Sequence, residues 1–135
     1  MSRFVAVAYP ATLVAFLAVD AVWLVGMSGV LYRPVLGPIL RAEPDLVAAG
    51  LFYLIYVAGI VFFAVHPSRR RGLAAAALRG GAFGFCAYAT YDLTNQATLA
   101  VWSPVLTVAD LAWGTFVTGL AATVGLIVAK RVDRR

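Results

Sequence analysis

The fold is decided by residues 88–102, YATYDLTNQATLAVW, the most polar run of the chain and one embedded in a hydrophobic segment. The run holds one aspartate, one asparagine, one glutamine and three threonines, whereas the residues around it are mostly alanine, valine, leucine, phenylalanine and glycine. Such a run is either a loop that interrupts the hydrophobic segment or the polar face of a continuous helix. The rest of the sequence distinguishes these two interpretations.

The composition is typical of a membrane protein. Of the 135 residues, 63% are hydrophobic and 13% are charged, and the mean hydropathy is +0.91; soluble domains are about half apolar and a quarter charged. A spanning helix needs about 20 residues, and hydropathy places four such segments at residues 4–27, 45–66, 73–101 and 105–129. We therefore predict an all-α membrane protein, a four-helix transmembrane bundle that forms a single domain over residues 1–135. The first segment is as long as a true span, so we expect it to be an uncleaved helix rather than a signal peptide.

The basic residues predict an orientation for this bundle. They are concentrated in the N-terminal tail, in the loop between spans two and three, and at the C-terminal end; the two other loops hold only Arg33 and Arg41. Because cytoplasmic loops are enriched in lysine and arginine, we expect both termini in the cytoplasm and the protein in the bacterial cytoplasmic (inner) membrane. The net charge of +5 is then explained by basic residues that set the orientation of the helices and attract anionic lipid headgroups. It does not indicate nucleic-acid binding. Residues 28–44 contain internal prolines and are predicted to form an outer interfacial or re-entrant segment rather than a fifth span.

Three of the six acidic residues lie within the predicted spans: Asp20, Asp92 and Asp110. At a rise of 1.5 Å per residue, they lie about 8 to 14 Å below the outer ends of their helices, which puts them in nearly one layer. A lipid-facing carboxylate costs about 2.5–3.5 kcal/mol on insertion scales, so all three are expected to face the bundle interior. Asp92 shares its helical face with Tyr88 and Asn95. The polar run is therefore predicted to be one face of a continuous, inward-facing helix.

Further polar and aromatic side chains fall in or near this layer. Together with Tyr88 and Asn95, the candidate ligand-binding residues are Tyr53, Tyr56, Tyr91, Gln96, Trp23 and Trp113. The pattern D-x-x-W occurs twice, once beginning at Asp20 and once at Asp110, on spans that run in opposite directions. The two copies would therefore be related as an inverted pair.

Three strings of the sequence resemble a known family. YDLTNQATL at residues 91–99, VADLAWGT at 108–115 and VDAVWL at 19–24 are similar to the small bacterial membrane proteins catalogued as domain-of-unknown-function family 2177. The resemblance covers nearly the whole chain, and Y-D-L-T-N is its most specific part. It implies a four-helix integral membrane protein and no established activity, so the function has to be argued from the residues.

The residue types exclude several kinds of chemistry. No lysine lies within a predicted span, which argues against a Schiff base. The only histidine, His66, ends the second span, which argues against haem and histidine-rich metal sites. Glycine-rich phosphate loops, Ser-His-Asp sets and cysteine pairs are absent, and Cys86 is predicted to be a small packing residue. We therefore expect no metal and no cofactor.

Three interpretations of the polar layer remain open. In the structural one, Asp92 and Asn95 bond across helices to Tyr53, Tyr56 or Thr107, or an arginine of residues 28–44 pairs with an aspartate, and this only holds the helices together. In the functional one, the three carboxyls require a proton, a cation or a basic ligand between them. They would then be catalytic or ligand-binding groups of a pocket that opens to the outer leaflet and takes an amphiphilic or lipid-like ligand.

The third interpretation is a small proton or cation pathway. Few polar groups lie in the cytoplasmic half of the predicted bundle, so a homo-oligomer would have to complete such a pathway. Membrane lipids are the expected partners and nucleic acid is not one. Whether the protein is an enzyme stays undecided at the level of the sequence.

Overall fold

A computed structural model describes residues 3–133 and consists of four long helices without a strand in that range. The helices are α1 (Arg3–Met27), α2 (Leu46–Ile60), α3 (Leu73–Thr98) and α4 (Pro104–Asp133). The predicted all-α, four-helix fold is thereby confirmed. The polar run is helical as far as Thr98, so it is not a loop. Three helical stretches are long and apolar enough to cross a membrane: Arg3–Ile39, Leu46–Ser68 and Pro104–Asp133.

Local sequence explains where the helices begin. Before α2, the Asp45 carboxylate accepts hydrogen bonds from the backbone N–H groups of Val47 and Ala48 at 3.1 and 3.0 Å, which is the usual cap of a helix N-terminus. Before α3, Gly72 has a φ of 95°, a left-handed conformation that glycine adopts without steric cost. Helix α4 starts at Pro104, where the missing N–H has no helical partner to lose.

Helix α1 continues into residues 28–39, which we call the α1 extension. It consists of a π-helical turn, a short α-helical turn and a 3-10 turn, at Ser28–Tyr32, Arg33–Leu36 and Gly37–Ile39. Leu36 is buried against Trp102 and Leu106, so the extension packs over the turn between α3 and α4. The part of the chain predicted as an interfacial or re-entrant segment is thus helical over most of its length and attached to the bundle.

Helices α3 and α4 have the most extensive contact, and it is made by small residues. A Cβ atom added to Gly80 would lie 2.8 Å from both the Ala122 Cβ and the Thr118 carbonyl oxygen, and one added to Gly84 would overlap the Gly114 carbonyl. Small residues let membrane helices approach this closely. The close approach brings the buried face of α3, with Asp92, against the buried face of α4, with Asp110.

Helix α1 runs antiparallel to α4, because Thr12 lies against Gly125 while Asp20 lies against Trp113. Helix α2 packs on α1, and its backbone comes closest to α3 in its π-helical continuation, Val61–Val65, while Tyr56 and Gly59 contact the Phe83 ring of α3. Towards Leu46, α2 and α3 therefore diverge. This divergence leaves a gap in the bundle on the side where the polar layer lies.

Candidate functional site

The Asp20 carboxyl connects three helices. It is buried on α1, with 6% of the residue exposed. The Tyr53 hydroxyl of α2 donates to its Oδ2 atom at 2.7 Å, and the Trp113 indole N–H of α4 donates to its Oδ1 atom at 3.1 Å. Both oxygens therefore have a partner, and the contacts of Asp20 are those of a group that holds α1, α2 and α4 together.

The Asp110 carboxyl of α4 is bonded to the α1 extension. The Tyr32 hydroxyl donates to Asp110 Oδ1 at 2.5 Å and accepts a hydrogen bond from the Trp23 indole N–H at 2.8 Å. Hydrogen bonds from a hydroxyl to a carboxylate are short and about twice as strong as neutral ones. Tyr32 was not among the residues predicted for the site. The π-helical turn that carries it shifts the helical register, so spacing at the α-helical period does not reveal this contact.

The two D-x-x-W motifs contact each other reciprocally. Trp113 of the second motif donates to Asp20 of the first, and Trp23 of the first reaches Asp110 of the second through the Tyr32 hydroxyl. The indole rings of Trp23 and Trp113 stack with centroids 4.4 Å apart and an interplanar angle of 10°. Each tryptophan thus forms a hydrogen bond, directly or through Tyr32, to the carboxyl of the other motif. These reciprocal contacts hold α1 and α4 together as an antiparallel pair.

Asp92 has different surroundings from the other two carboxyls. The residue has no exposed surface, and neither carboxyl oxygen accepts a hydrogen bond from an N–H group or a hydroxyl among residues 3–133. The Asp110 carboxyl lies within hydrogen-bonding reach of it, and the two carboxyls can share a hydrogen bond only when one of them is protonated. The Asp92 carboxyl interacts electrostatically with that of Asp110, which also interacts with Asp20, so the structure brings the three carboxyls together. A buried polar group without a partner costs about 1–3 kcal/mol. Such groups are few in native proteins, and each one calls for an explanation.

None of these three carboxyls forms an ion pair with a basic side chain of the described chain. The ion pairs there are Arg41 with Asp45 at 3.7 Å and Arg69 with Asp133 at 2.5 Å. The arginine predicted as a partner for a buried aspartate is therefore not provided by residues 28–44, since Arg41 pairs with Asp45 and Arg33 is exposed. Within residues 3–133, no group of three or more acidic, histidine or cysteine side chains is arranged to hold a metal ion.

A cavity of about 350 Å³ lies beside Asp110, in the gap between α2 and α3. Its lining combines Asp110 with residues of those two helices: Phe52, Tyr56, Ala87, Tyr88 and Tyr91. The Tyr56 ring stacks on Phe52 with centroids 5.3 Å apart and meets the edge of Tyr88 at 6.4 Å. Phe52 and Tyr91 are 46% and 57% exposed, so the cavity opens to the surface between the two helices.

The structure thus divides the predicted site residues into two groups. Tyr56, Tyr88, Tyr91 and Asp110 line the cavity. The others do not line the cavity: they belong to the polar network around it or lie farther along α3, and they are Asp20, Asp92, Tyr53, Trp23, Trp113, Asn95 and Gln96. Phe52 and Ala87 also line the cavity and were missed, because an apolar residue on a largely apolar helix gives no signal in the sequence.

The cross-helix bonds expected from Asp92 are not formed. Tyr53 bonds Asp20, the hydroxyls of Tyr56 and Thr118 share a hydrogen bond at 2.8 Å, and Thr107 donates to Gln96 Oε1 at 2.7 Å. The half-buried Asn95 lies one helical turn beyond Asp92 and interacts with the Tyr91 hydroxyl. Tyr53, Tyr56 and Thr107 therefore bond other groups, and the neighbour that remains for Asp92 is the Asp110 carboxyl.

The chain matches one protein family over most of its length. A family described as predicted membrane protein (DUF2177) matches residues 5–127, which confirms the resemblance inferred from the sequence motifs. No curated protein and no solved structure matches the chain. The match brings no activity with it.

Proposed function

The chain belongs to the DUF2177 family of predicted membrane proteins, whose description names no activity, and we propose a function from the residues of the chain itself. We propose that the protein binds the polar head of an amphiphilic, lipid-like molecule in the cavity beside Asp110. The observation that supports this proposal is the acidic wall of the cavity: Asp110 lines the cavity, and the fully buried Asp92 carboxyl, to which no N–H group or hydroxyl of residues 3–133 donates, interacts with Asp110. A side chain that only held helices together would be expected to bond another helix, as Asp20 does.

The dimensions and chemistry of the cavity support this proposal. Small-molecule sites have volumes of about 300–1,000 Å³, are lined mainly by apolar and aromatic side chains, and contain a few polar groups that orient the ligand. The cavity of about 350 Å³ has this character, with Asp110 as its acidic group. Its size suits the head of an amphiphile rather than the whole molecule.

The position of the opening supports an amphiphilic ligand over a water-soluble one. The cavity opens between α2 and α3, at the exposed rings of Phe52 and Tyr91. In a membrane, this side of the bundle faces lipid tails. A molecule with a polar head and an apolar tail would enter sideways, place its head beside Asp110 and leave its tail among the surrounding lipids.

We further propose that the membrane is the bacterial cytoplasmic membrane and that both termini lie in the cytoplasm. The arginine-rich turn at residues 69–71 and the basic end of α4 support this orientation. The cavity then belongs to the outer half of the bundle. A reporter enzyme that is active only in the periplasm should be inactive when fused after residue 135 and active when inserted at exposed Glu43. The reverse pattern would overturn the orientation and leave the cavity argument unaffected.

The binding proposal is tested by native mass spectrometry of the protein released from mild detergent. The wild-type protein should carry an additional mass of lipid size. Ala87→Trp fills the cavity with an indole and should remove that mass. The matched control is Ala97→Trp, which makes the same change at an exposed position of the same helix and should keep the mass.

Circular dichroism and size-exclusion profiles establish that both variants are folded. If a folded Ala87→Trp protein retains the same lipid at the same occupancy as the wild type, the cavity does not bind it. If the wild-type protein carries no additional mass even after incubation with a lipid extract, the proposed function is wrong.

A further inference from the structure

The proposed binding function, on which the following step rests, leaves the charge of the ligand open. We propose that the head bound in the cavity is a cation, specifically an ammonium group carried by an amphiphile. Three features point to this class: the carboxyls that lack a basic partner, the aromatic rings of the wall, and the distribution of charge along the molecule.

The cluster of carboxyls favours a positively charged head over a negatively charged one. Asp110 interacts with Asp92 on one side and with Asp20 on the other, and none of them forms an ion pair in residues 3–133. N–H groups and hydroxyls donate to both oxygens of Asp20 and to one oxygen of Asp110, but to neither oxygen of Asp92, whose hydrogen-bonding neighbour is the Asp110 carboxyl. In a site of low dielectric constant, neighbouring carboxylates repel strongly unless a proton or a cation lies between them. A phosphate or sulfate head would add to this repulsion, whereas an ammonium would relieve it.

The aromatic wall is suited to the same group. The face of an aromatic ring carries the negative part of its quadrupole and attracts a cation within about 6 Å of the ring centroid, and quaternary ammonium groups are commonly bound by several such rings. Phe52, Tyr56, Tyr88 and Tyr91 supply four rings to one cavity. The edge-to-face contact of Tyr56 with Tyr88 sets two of these rings at an angle of 66°, so they form a corner rather than a flat stack.

The distribution of charge separates this cavity from the rest of the surface. Most of the basic side chains, although not Arg33 and Arg41, gather at the opposite end of the bundle, where Arg69, Arg70 and Lys130 line a different cavity of about 240 Å³ together with Asp133. An anionic headgroup would find oppositely charged side chains in that second cavity. The acidic cavity and the basic end therefore favour heads of opposite sign, and an anionic amphiphile is expected to bind independently of Asp110.

The inference is tested with two amphiphiles of the same tail and nearly the same head size. Dodecyltrimethylammonium is a cation, and dodecyldimethylamine oxide has no net charge at mildly alkaline pH. Isothermal titration of the protein in a nonionic detergent should give about tenfold or greater preference for the cation, the scale expected of a desolvated cation–aromatic contact. In Asp110→Asn, the preference should fall severalfold, because the carboxylate is lost while the aromatic rings remain; an unchanged preference would contradict the inference. Asparagine keeps an oxygen that accepts the Tyr32 hydrogen bond, so this variant is expected to fold.

A second pair of variants tests the aromatic wall. Tyr91→Leu removes a cavity ring and should reduce the preference for the cation. Phe85→Leu removes an equally exposed ring from the same helix outside the cavity and should leave the preference unchanged. Loss of preference in both variants, or in neither, would mean that the wall does not select the cation.

The possible failures separate this inference from the proposed function. If both amphiphiles bind equally and Ala87→Trp abolishes both, the cavity is a binding site and the inference about charge is wrong. If neither binds while Ala87→Trp still removes a co-purified lipid, the site takes a head of another class and the inference is again wrong. If neither binds and no lipid co-purifies, both proposals fail.

Discussion

The substitutions Asp20→Ala and Asp92→Ala should change the free energy of unfolding by different amounts, although each removes a buried carboxyl from the same layer. Asp20→Ala leaves the Tyr53 hydroxyl and the Trp113 indole N–H without an acceptor. Two average hydrogen bonds between membrane helices are worth about 1 kcal/mol, and two unpaired buried donors cost about 4 kcal/mol at about 2 kcal/mol each. We expect the free energy of unfolding to fall by a value between these limits, about 2 kcal/mol.

Asp92→Ala should change the free energy of unfolding by less than about 1 kcal/mol in either direction. The substitution removes a buried carboxyl to which no N–H group or hydroxyl donates, which is favourable by about 1–3 kcal/mol. It also leaves a void of three heavy atoms, which costs a similar amount at about 1 kcal/mol for each group of methyl size. The two effects oppose each other, so the difference between the two variants should be about 2 kcal/mol.

The measurement is reversible unfolding by dodecyl sulfate in mixed micelles, followed by far-ultraviolet circular dichroism. Wild-type protein and both variants are titrated under the same conditions. If Asp92→Ala destabilises the protein as much as Asp20→Ala, then Asp92 contributes to the fold in the same way as Asp20. The argument for a binding role of Asp92 would then lose its main support.

The other predictions concern single contacts. Gly84→Ala should lower the free energy of unfolding by about 1–3 kcal/mol, because its Cβ would force α3 away from α4; Gly26→Ala, with no atom within 4 Å of the added Cβ, should stay within about 1 kcal/mol of wild type by the same titration. Tyr32→Phe should cost about 1–3 kcal/mol through the hydrogen bond to a charged group, and an unchanged stability would contradict that bond. Asp133→Asn, which weakens the partly exposed ion pair with Arg69, should cost no more than about 1 kcal/mol in a thermal melt, and a larger loss would show a role beyond that pair.

The inward faces of the helices could be predicted from the sequence for two reasons. A carboxyl is costly on a lipid-facing surface, and a row of glycines allows close helix contact only where another helix lies against it. Asp92 and Gly84 on α3, and Asp110 and Gly114 on α4, are buried as their spacing indicated. The same reasoning gave no way to tell Asp92 from Asp20. Whether a carboxyl has a donor within 3 Å depends on side-chain positions on other helices, which periodicity does not determine.

The position of Tyr32 illustrates a second limit of the sequence. Its segment contains prolines and paired aliphatic residues, which predicted an outer interfacial or re-entrant segment without a defined position. The chain forms a π-helical turn there and is held by the contact of Leu36 with Trp102. This contact joins residues far apart in the sequence, and it places the Tyr32 hydroxyl on Asp110.

The uneven attachment of the helices has a mechanical consequence. Glycine contacts join α3 to α4, and the reciprocal tryptophans join α1 to α4, so these three helices form a rigid frame. Helix α2 lies against these three helices, and three tyrosine hydroxyls form hydrogen bonds between it and them. The Tyr9 hydroxyl of α1 donates to the Leu54 carbonyl oxygen at 2.9 Å, Tyr53 bonds Asp20, and Tyr56 bonds Thr118. Single hydrogen bonds between α2 and its neighbours can break individually. The glycine contacts between α3 and α4 are lost only when the two helices move apart along their length. We therefore expect the side of the bundle with the cavity to open before the contact of α3 with α4 does, and the bond of Tyr53 to Asp20 to oppose that opening.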